Sequence, residues 1–132
     1  MAGDVHPVAV AVGLDDAFNR RDLQTFLGLL HRRAEISNAD GEMALGHPGA
    51  RSFLEGADSE GTGRFIRRSH YKSAGGTVTG ALEVELRDRR SGDVVARSHL
   101  VATLECAAGK VRSIDLRRSM REETARAPEV SL

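Results

Sequence analysis

Histidine is the side chain here whose type suits proton transfer near neutral pH, and His70 is one of five in the chain. It lies in Ser69-His70-Tyr71, just before Gly75-Gly76-Thr77. Imidazole is the side chain whose charge ordinarily changes close to physiological pH, so it can act as acid or base there. Tyr71 beside His70 carries a hydroxyl, and Asn38 an amide. Asp15 and Asp16 are adjacent acids further upstream. A histidine without a positioned partner also fits an ordinary half-buried strand residue, so both readings of His70 stand at this stage. His99 falls on a charged strand face, while His31 and His47 sit at a helix end and in a loop, where capping or solvation explains them. Their pattern does not suggest a metal set with His70 and His99.

Other chemistries are poorly served. A single cysteine, Cys106, excludes an internal disulfide and any cysteine-based zinc cluster. Alternation places it on an apolar face, as expected of an inert core thiol. Gly56, Gly61 and Gly63 do not make a phosphate loop, because no strand precedes them and no Lys-Ser/Thr follows. Nineteen basic residues balance nineteen acidic ones and tryptophan is absent, so neither a nucleic-acid footprint nor a base-stacking surface is expected. No apolar run approaches the about 20 residues that span a bilayer, and the N-terminus lacks a basic-then-apolar signal. A cytoplasmic location without membrane attachment is the expectation. At 132 residues, one domain covering residues 1–132 is expected, with 120–132 a frayed, charged tail.

The elements that must position these residues can be read from periodicity. Pro7 suits the first turn of a helix that Asp4 or His6 could cap. Val10, Leu14, Ala17 and Phe18 form one apolar stripe along it. Asp22 is the expected N-cap of a second helix carrying Leu23, Phe26, Leu27 and Leu30. Ala34 to Asn38 reads as a short strand and Asp40-Gly41 as a turn. Pro48 at a first helical position opens a third, short helix with Ala50, Phe53 and Leu54. A polar loop spans Gly56 to Gly63.

The remainder reads as sheet. Arg64 to Tyr71 is a candidate strand of mixed pattern. Thr77 to Arg87, Val94 to Cys106 and Val111 to Arg118 alternate clearly. The turns between them set a register in which Glu85 faces Arg97, Glu83 faces His99, Leu82 faces Leu100, Thr103 faces Asp115 and Leu104 faces Ile114. Each pairing keeps apolar with apolar, as a half-buried sheet requires. Glu83, Glu85, Arg97 and His99 are then expected as an exposed ladder, where such pairs contribute about 0–1 kcal/mol each.

Three local marks carry a family resemblance: Asn19-Arg20-Arg21-Asp22-Leu23 at the helix corner, Gly46 and Gly49 before the short helix, and Gly109-Lys110-Val111 in the last hairpin. With the element order, they resemble the nuclear transport factor 2-like superfamily, in its SnoaL-like and ketosteroid isomerase-like branches, from about Val8 to Arg118. The resemblance implies an α+β cone, about three N-terminal helices wrapped against a curved, mixed or antiparallel sheet around one pocket. It also implies an association of two copies through the outer sheet face.

Family positions carry over unevenly. The proton-shuttling aspartate of ketosteroid isomerases matches Asn38, whose amide can position a ligand but cannot take a proton. The oxyanion-hole tyrosine matches Leu14, and the protonated acid matches Val101 or a neighbour. The final-strand acid of epoxide-hydrolase-like members falls near Leu116, with Asp115 on the opposite face. The pocket histidine of scytalone dehydratase-like members matches His70, while the partner acid expected in the first helix matches Asn19. Asp15 and Asp16 are the near substitutes. The resemblance therefore implies a cyclase, isomerase or dehydratase working without metal or organic cofactor on an apolar polycyclic or polyketide-like substrate. His70 and Asp16 would be its catalytic pair, Asn38 and Tyr71 would orient oxygen, and Leu14, Phe18, Val84 and Leu100 would form the apolar wall. Loss of the family acids points the other way, to a non-catalytic ligand-binding or dimerisation module.

Overall fold

The computed structural model describes residues 6–59 and 61–119; the expected tail at 120–132 lies outside them. Helix α1 (Pro7–Arg20) starts where Pro7 sits in the first turn and the His6 imidazole accepts the Val8 N–H. Its buried face is the expected stripe, Val10, Leu14, Ala17 and Phe18, together with Ala11 and Asp15. Arg21 ends it in the left-handed conformation. Asp22 then caps α2 (Leu23–Gly28) by accepting from the Thr25 N–H and hydroxyl.

The second helix is shorter than its apolar spacing predicts. It stops at Gly28, and Leu30 begins strand β1 (Leu30–Ser37) instead of closing a helical turn. Leu30, Ala34 and Ile36 are the buried residues of that strand. A short edge strand, β2 (Met43–Leu45), follows the Asp40-Gly41 turn. Helix α3 (Gly46–Gly56) begins two residues before Pro48, at a glycine with φ of 66° whose added Cβ would meet the Arg32 carbonyl at 3.0 Å. That close approach and positive φ require glycine there.

Strands β3 (Thr62–Arg67), β4 (Lys72–Ala74), β5 (Thr77–Arg87), β6 (Val94–Ala107) and β7 (Lys110–Arg118) complete a seven-stranded mixed sheet, curled but not closed. Its order is β2-β1-β7-β6-β5-β3, with β4 also pairing β5. Only the β1–β7 pair is parallel among the described strands. Every expected pairing is present: Glu85–Arg97, Glu83–His99, Leu82–Leu100, Thr103–Asp115 and Leu104–Ile114. This is the α+β cone the sequence implied.

Two expectations about the sheet need correction. The single strand expected over Arg64–Tyr71 is broken after Arg67: Arg68 N–H still bonds Ala81 O in register, but the Ser69 hydroxyl takes the Ala81 N–H that a continued ladder would give to a backbone carbonyl. The Glu83–Glu85 ladder is not exposed either. Both carboxylates are buried, at 5% and 6% exposure. Three arginines lie over them: Arg97 is 3.3 Å from Glu83, Arg68 is 3.8 Å from it, and Arg87 is 2.7 Å from Glu85. Arg97 reaches Glu85 only at 4.0 Å, so the ladder leans toward Glu83.

Candidate functional site

The concave side of the sheet and the helices enclose an open cleft of about 1110 Å³. Phe18, Phe53, Phe65, Val84, Leu100 and Leu116 give it an apolar floor, and Asn38, Asp40, Glu42 and Arg118 lie around it. Clefts of roughly 300–1,000 Å³ with an apolar lining and few polar groups are the usual small-molecule sites. Behind the phenylalanines lies a second, buried hollow of about 20 Å³, which Leu14, Asp15 and Tyr71 help to line.

Asp15 is the unusual group there. It occupies the buried face of α1 at 6% exposure, and the Tyr71 hydroxyl donates to its Oδ2 at 2.6 Å. Burial raises the Asp15 carboxyl from its ordinary 3.8 to about 6; the Tyr71 hydrogen bond and the Arg67 guanidinium, 3.6 Å away, pull the other way. Burial and the neighbouring carboxylate raise the Tyr71 phenol in turn. An acid near 6 can both accept and return a proton at physiological pH.

Local sequence explains how Tyr71 gets there. The break after Arg67 lets the chain fold Tyr71 back over β5, directly above Gly80. A Cβ at Gly80 would sit 2.5 Å from the tyrosine ring, so only glycine leaves room for it. The ring then reaches across to α1. In the same stretch, Phe65 and Arg67 share the inner face, which carries Arg67 to Asp15 and, at 3.5 Å, to Asp16.

The structure distributes the sequence-derived candidates over three places. Phe18, Val84, Leu100 and Asn38 line the cleft, and Leu14 and Tyr71 line the buried hollow. Phe18 lines both. His70 is exposed and lines neither cavity, because it lies in the break between β3 and β4. Asp16 is half-buried beside Arg67 and also lines neither. Asn38 is occupied by its own turn: its Oδ1 accepts the Asp40 and Glu42 N–H groups and its Nδ2 donates to Glu42. Asn19, at the family's partner-acid position, bonds both the N–H and the carbonyl of Phe65. His99 is half-buried on the outer sheet face. His47 bonds the Leu30 carbonyl, and burial raises the Cys106 thiol. Among the described residues, no three of His, Cys, Asp and Glu gather as a metal set. No helix there is long and apolar enough to cross a membrane.

Asp15 is the residue that sequence reasoning undervalued. Its signal was present, since it sits beside Leu14 and three residues before Phe18, inside the buried arc of α1.

A helix-wrapped, curled but unclosed mixed sheet around one cleft defines the nuclear transport factor 2-like α+β fold. The solved structures it is similar to bear this out at the level of fold. A candidate SnoaL-like polyketide cyclase from Shewanella putrefaciens CN-32 superposes with a TM-score of 0.73, at 16% identity over 95% of this chain and 98% of that one. TerC, co-crystallised with polyporic acid, gives 0.73 at 19% identity over 90% and 95%. A nuclear transport factor 2-like protein of unknown function from Burkholderia pseudomallei K96243 gives 0.72 at 16% identity over 95% and 97%. No protein-family model matches the sequence, and no curated protein sequence matches it.

Proposed function

We propose that this chain is a SnoaL-like small-molecule enzyme, a cyclase, isomerase or dehydratase, acting on an apolar polycyclic or polyketide-like substrate held in the cleft. One observation carries the reading: a carboxyl tuned to about 6 and a tyrosine hydroxyl 2.6 Å from it stand directly behind an apolar cleft of about 1110 Å³. The polyketide-cyclase and polyporic-acid names of similarly folded proteins support a ring-bearing ligand. In this reading Asp15 takes the acid/base role first given to His70 and Asp16. Its carboxylate accepts a proton from the carbon next to a substrate carbonyl, and Tyr71 O–H donates a hydrogen bond to the carbonyl oxygen as the enolate forms. The proton then returns to another carbon, or leaves with a hydroxyl in a dehydration. The cleft floor binds chiefly through burial, about 25 cal/mol per Å² of apolar surface removed from water. The reading includes an association of two copies through the outer sheet face, where the apolar Val101 is exposed.

A non-catalytic binding module is the second reading, and two observations favour it. Asp15 and Tyr71 already satisfy each other, and Asn38 is consumed by its turn. The deciding experiment is a thermal-shift and mass-spectrometric screen against polycyclic phenols, steroids and epoxides, with Asp15→Asn and His70→Ala alongside. The enzyme reading expects turnover that Asp15→Asn abolishes and His70→Ala leaves intact. Binding without turnover establishes the module; turnover that survives Asp15→Asn removes Asp15 from the chemistry.

A further inference from the structure

Phe18, Phe53, Phe65 and Leu116 line both the open cleft and the buried hollow at Asp15 and Tyr71. They are the wall between the two. Three of them are firmly held. Phe65 is clamped at its N–H and its carbonyl by the Asn19 amide. Phe18 is 5% exposed, lies 4.4 Å from the Phe65 ring, and has the Arg21 guanidinium 5.0 Å over its own. Leu116 is buried in β7, between two neighbouring strands.

Phe53 differs. It is half-buried on α3, and its ring touches one other ring, that of Phe18 at 5.6 Å. The cleft beside it is lined by the small residues Gly49, Ser52, Gly56 and Ala57 of the same stretch. A phenyl ring makes no conventional hydrogen bond, so turning the Phe53 side chain toward that space breaks none. Rotamer changes of this kind are ordinary fast motions.

We infer that Phe53 is a movable partition and a specificity determinant: one six-membered ring of the ligand takes the place of its phenyl and so reaches Asp15 and Tyr71. This rests on the cleft being the ligand site. The space that a turned Phe53 side chain vacates is that of its own phenyl, and the hollow of about 20 Å³ behind it is lined by an O–H donor, Tyr71, and a carboxylate, Asp15. The ligand class is therefore a fused or linked ring compound whose leading ring carries a hydroxyl or carbonyl oxygen. Its trailing ring stays on the cleft floor. A hydrocarbon ring fits the same opening but gains nothing from Tyr71, since a polar group there is rewarded only by a polar partner.

The test uses 2-naphthol and 2-methylnaphthalene, which differ in the oxygen, against the wild type and Phe53→Leu, Phe53→Ala and Phe53→Trp. Affinities are read by fluorescence or thermal shift, and the Asp15 titration by carboxyl carbon NMR. In the wild type, 2-naphthol should move the Asp15 midpoint and 2-methylnaphthalene should not. Phe53→Ala should tighten 2-naphthol about tenfold or more, and Phe53→Trp should weaken it by a similar factor. Tyr71→Phe should erase the preference for naphthol over the hydrocarbon. Phe53→Leu keeps the comparison open if the alanine variant does not fold. Binding of 2-naphthol with an unmoved Asp15 midpoint and equal affinity across the Phe53 series overturns the partition while leaving the cleft intact. Failure of both probes to bind the wild type overturns the cleft reading itself.

Discussion

Replacing Asp15 by asparagine should make the protein more stable at pH 8 and leave it nearly unchanged at pH 4. The affinity of the Asp15 carboxyl for a proton in the fold corresponds to about 6, against 3.8 for an ordinary aspartate, and burial is the main cause. The folded state therefore binds a proton more tightly than the unfolded state does. Stability from this group is full below about 3.8, falls as pH rises from there to about 6, and is level above. At about 1.4 kcal/mol per tenfold in proton affinity, the loss amounts to about 3 kcal/mol. An asparagine keeps an oxygen to accept the Tyr71 hydroxyl and never ionises. It forfeits only the attraction of Arg67, which is itself part-exposed.

Other acids slope the opposite way and would mask this in the wild type alone. The Thr25 hydrogen bonds lower Asp22, the Arg21 hydrogen bond lowers Asp58, and the Ser91 and Arg90 N–H groups lower Asp88. Their stabilisation is lost as pH falls. The difference between wild type and Asp15→Asn cancels those shared contributions. Urea denaturation at half-unit intervals from pH 4 to 8 should give a difference curve rising by about 3 kcal/mol, with its steepest part between pH 4 and 6. In melting temperature the gain at pH 8 is on the order of 10 °C. A difference curve that stays flat, or that falls with rising pH, would refute the claim that burial governs this carboxyl. A stabilising variant that also loses turnover is the pattern of a residue kept for function against its own stability cost.

Gly80→Ala puts a methyl into the Tyr71 ring, so it should cost about 1–3 kcal/mol and move the Asp15 midpoint by NMR as the phenol is displaced. Asn19→Ala strands the Phe65 N–H and carbonyl and should cost about 1–3 kcal/mol, with faster hydrogen exchange at the Phe65 amide. Asn38→Ala should cost about 1 kcal/mol by loosening its turn while leaving ligand affinity within twofold, since the amide is spent on Asp40 and Glu42; a tenfold loss of affinity would return Asn38 to the ligand site. Val101→Lys, at an apolar position 42% exposed on the outer sheet face, should convert dimers to monomers in sedimentation velocity; a monomeric wild type rejects the association outright.

The long strands were legible because a two-residue period and two hairpin turns over-determine each other. Once Leu82 faces Leu100, a slip by one residue would turn Leu82, Val84 and Leu100 out of the core together. Burial of Glu83 and Glu85 was not legible from the same pattern. Alternation assigns each to the outward face, but it does not say that Arg68, Arg87 and Arg97 will fold their long stems over the carboxylates. Short elements failed for a different reason. Leu30 continues the helical spacing of Leu23, Phe26 and Leu27, yet its place opposite Val111 on β7 overrides a six-residue helix that has little cooperativity of its own.

The site follows the same division between local and distant causes. That α1 presents Leu14 and Phe18 inward is a local fact of helical periodicity, and Asp15 between them is swept into the same arc. Burial in that arc raises the carboxyl, and its hydroxyl partner comes from 56 residues away in Tyr71. Tyr71 is there only because the strand breaks after Arg67 and because Gly80, on a different strand, has no side chain. Had β3 run on through residue 71, the phenol would still lie on the inner face, but as one more rung beside β5 rather than folded across it to α1. The same break leaves His70 in the exposed connection while it brings the Tyr71 hydroxyl to Asp15. Gly80 leaves the room in which the Tyr71 ring lies, and the ring carries its hydroxyl to Asp15.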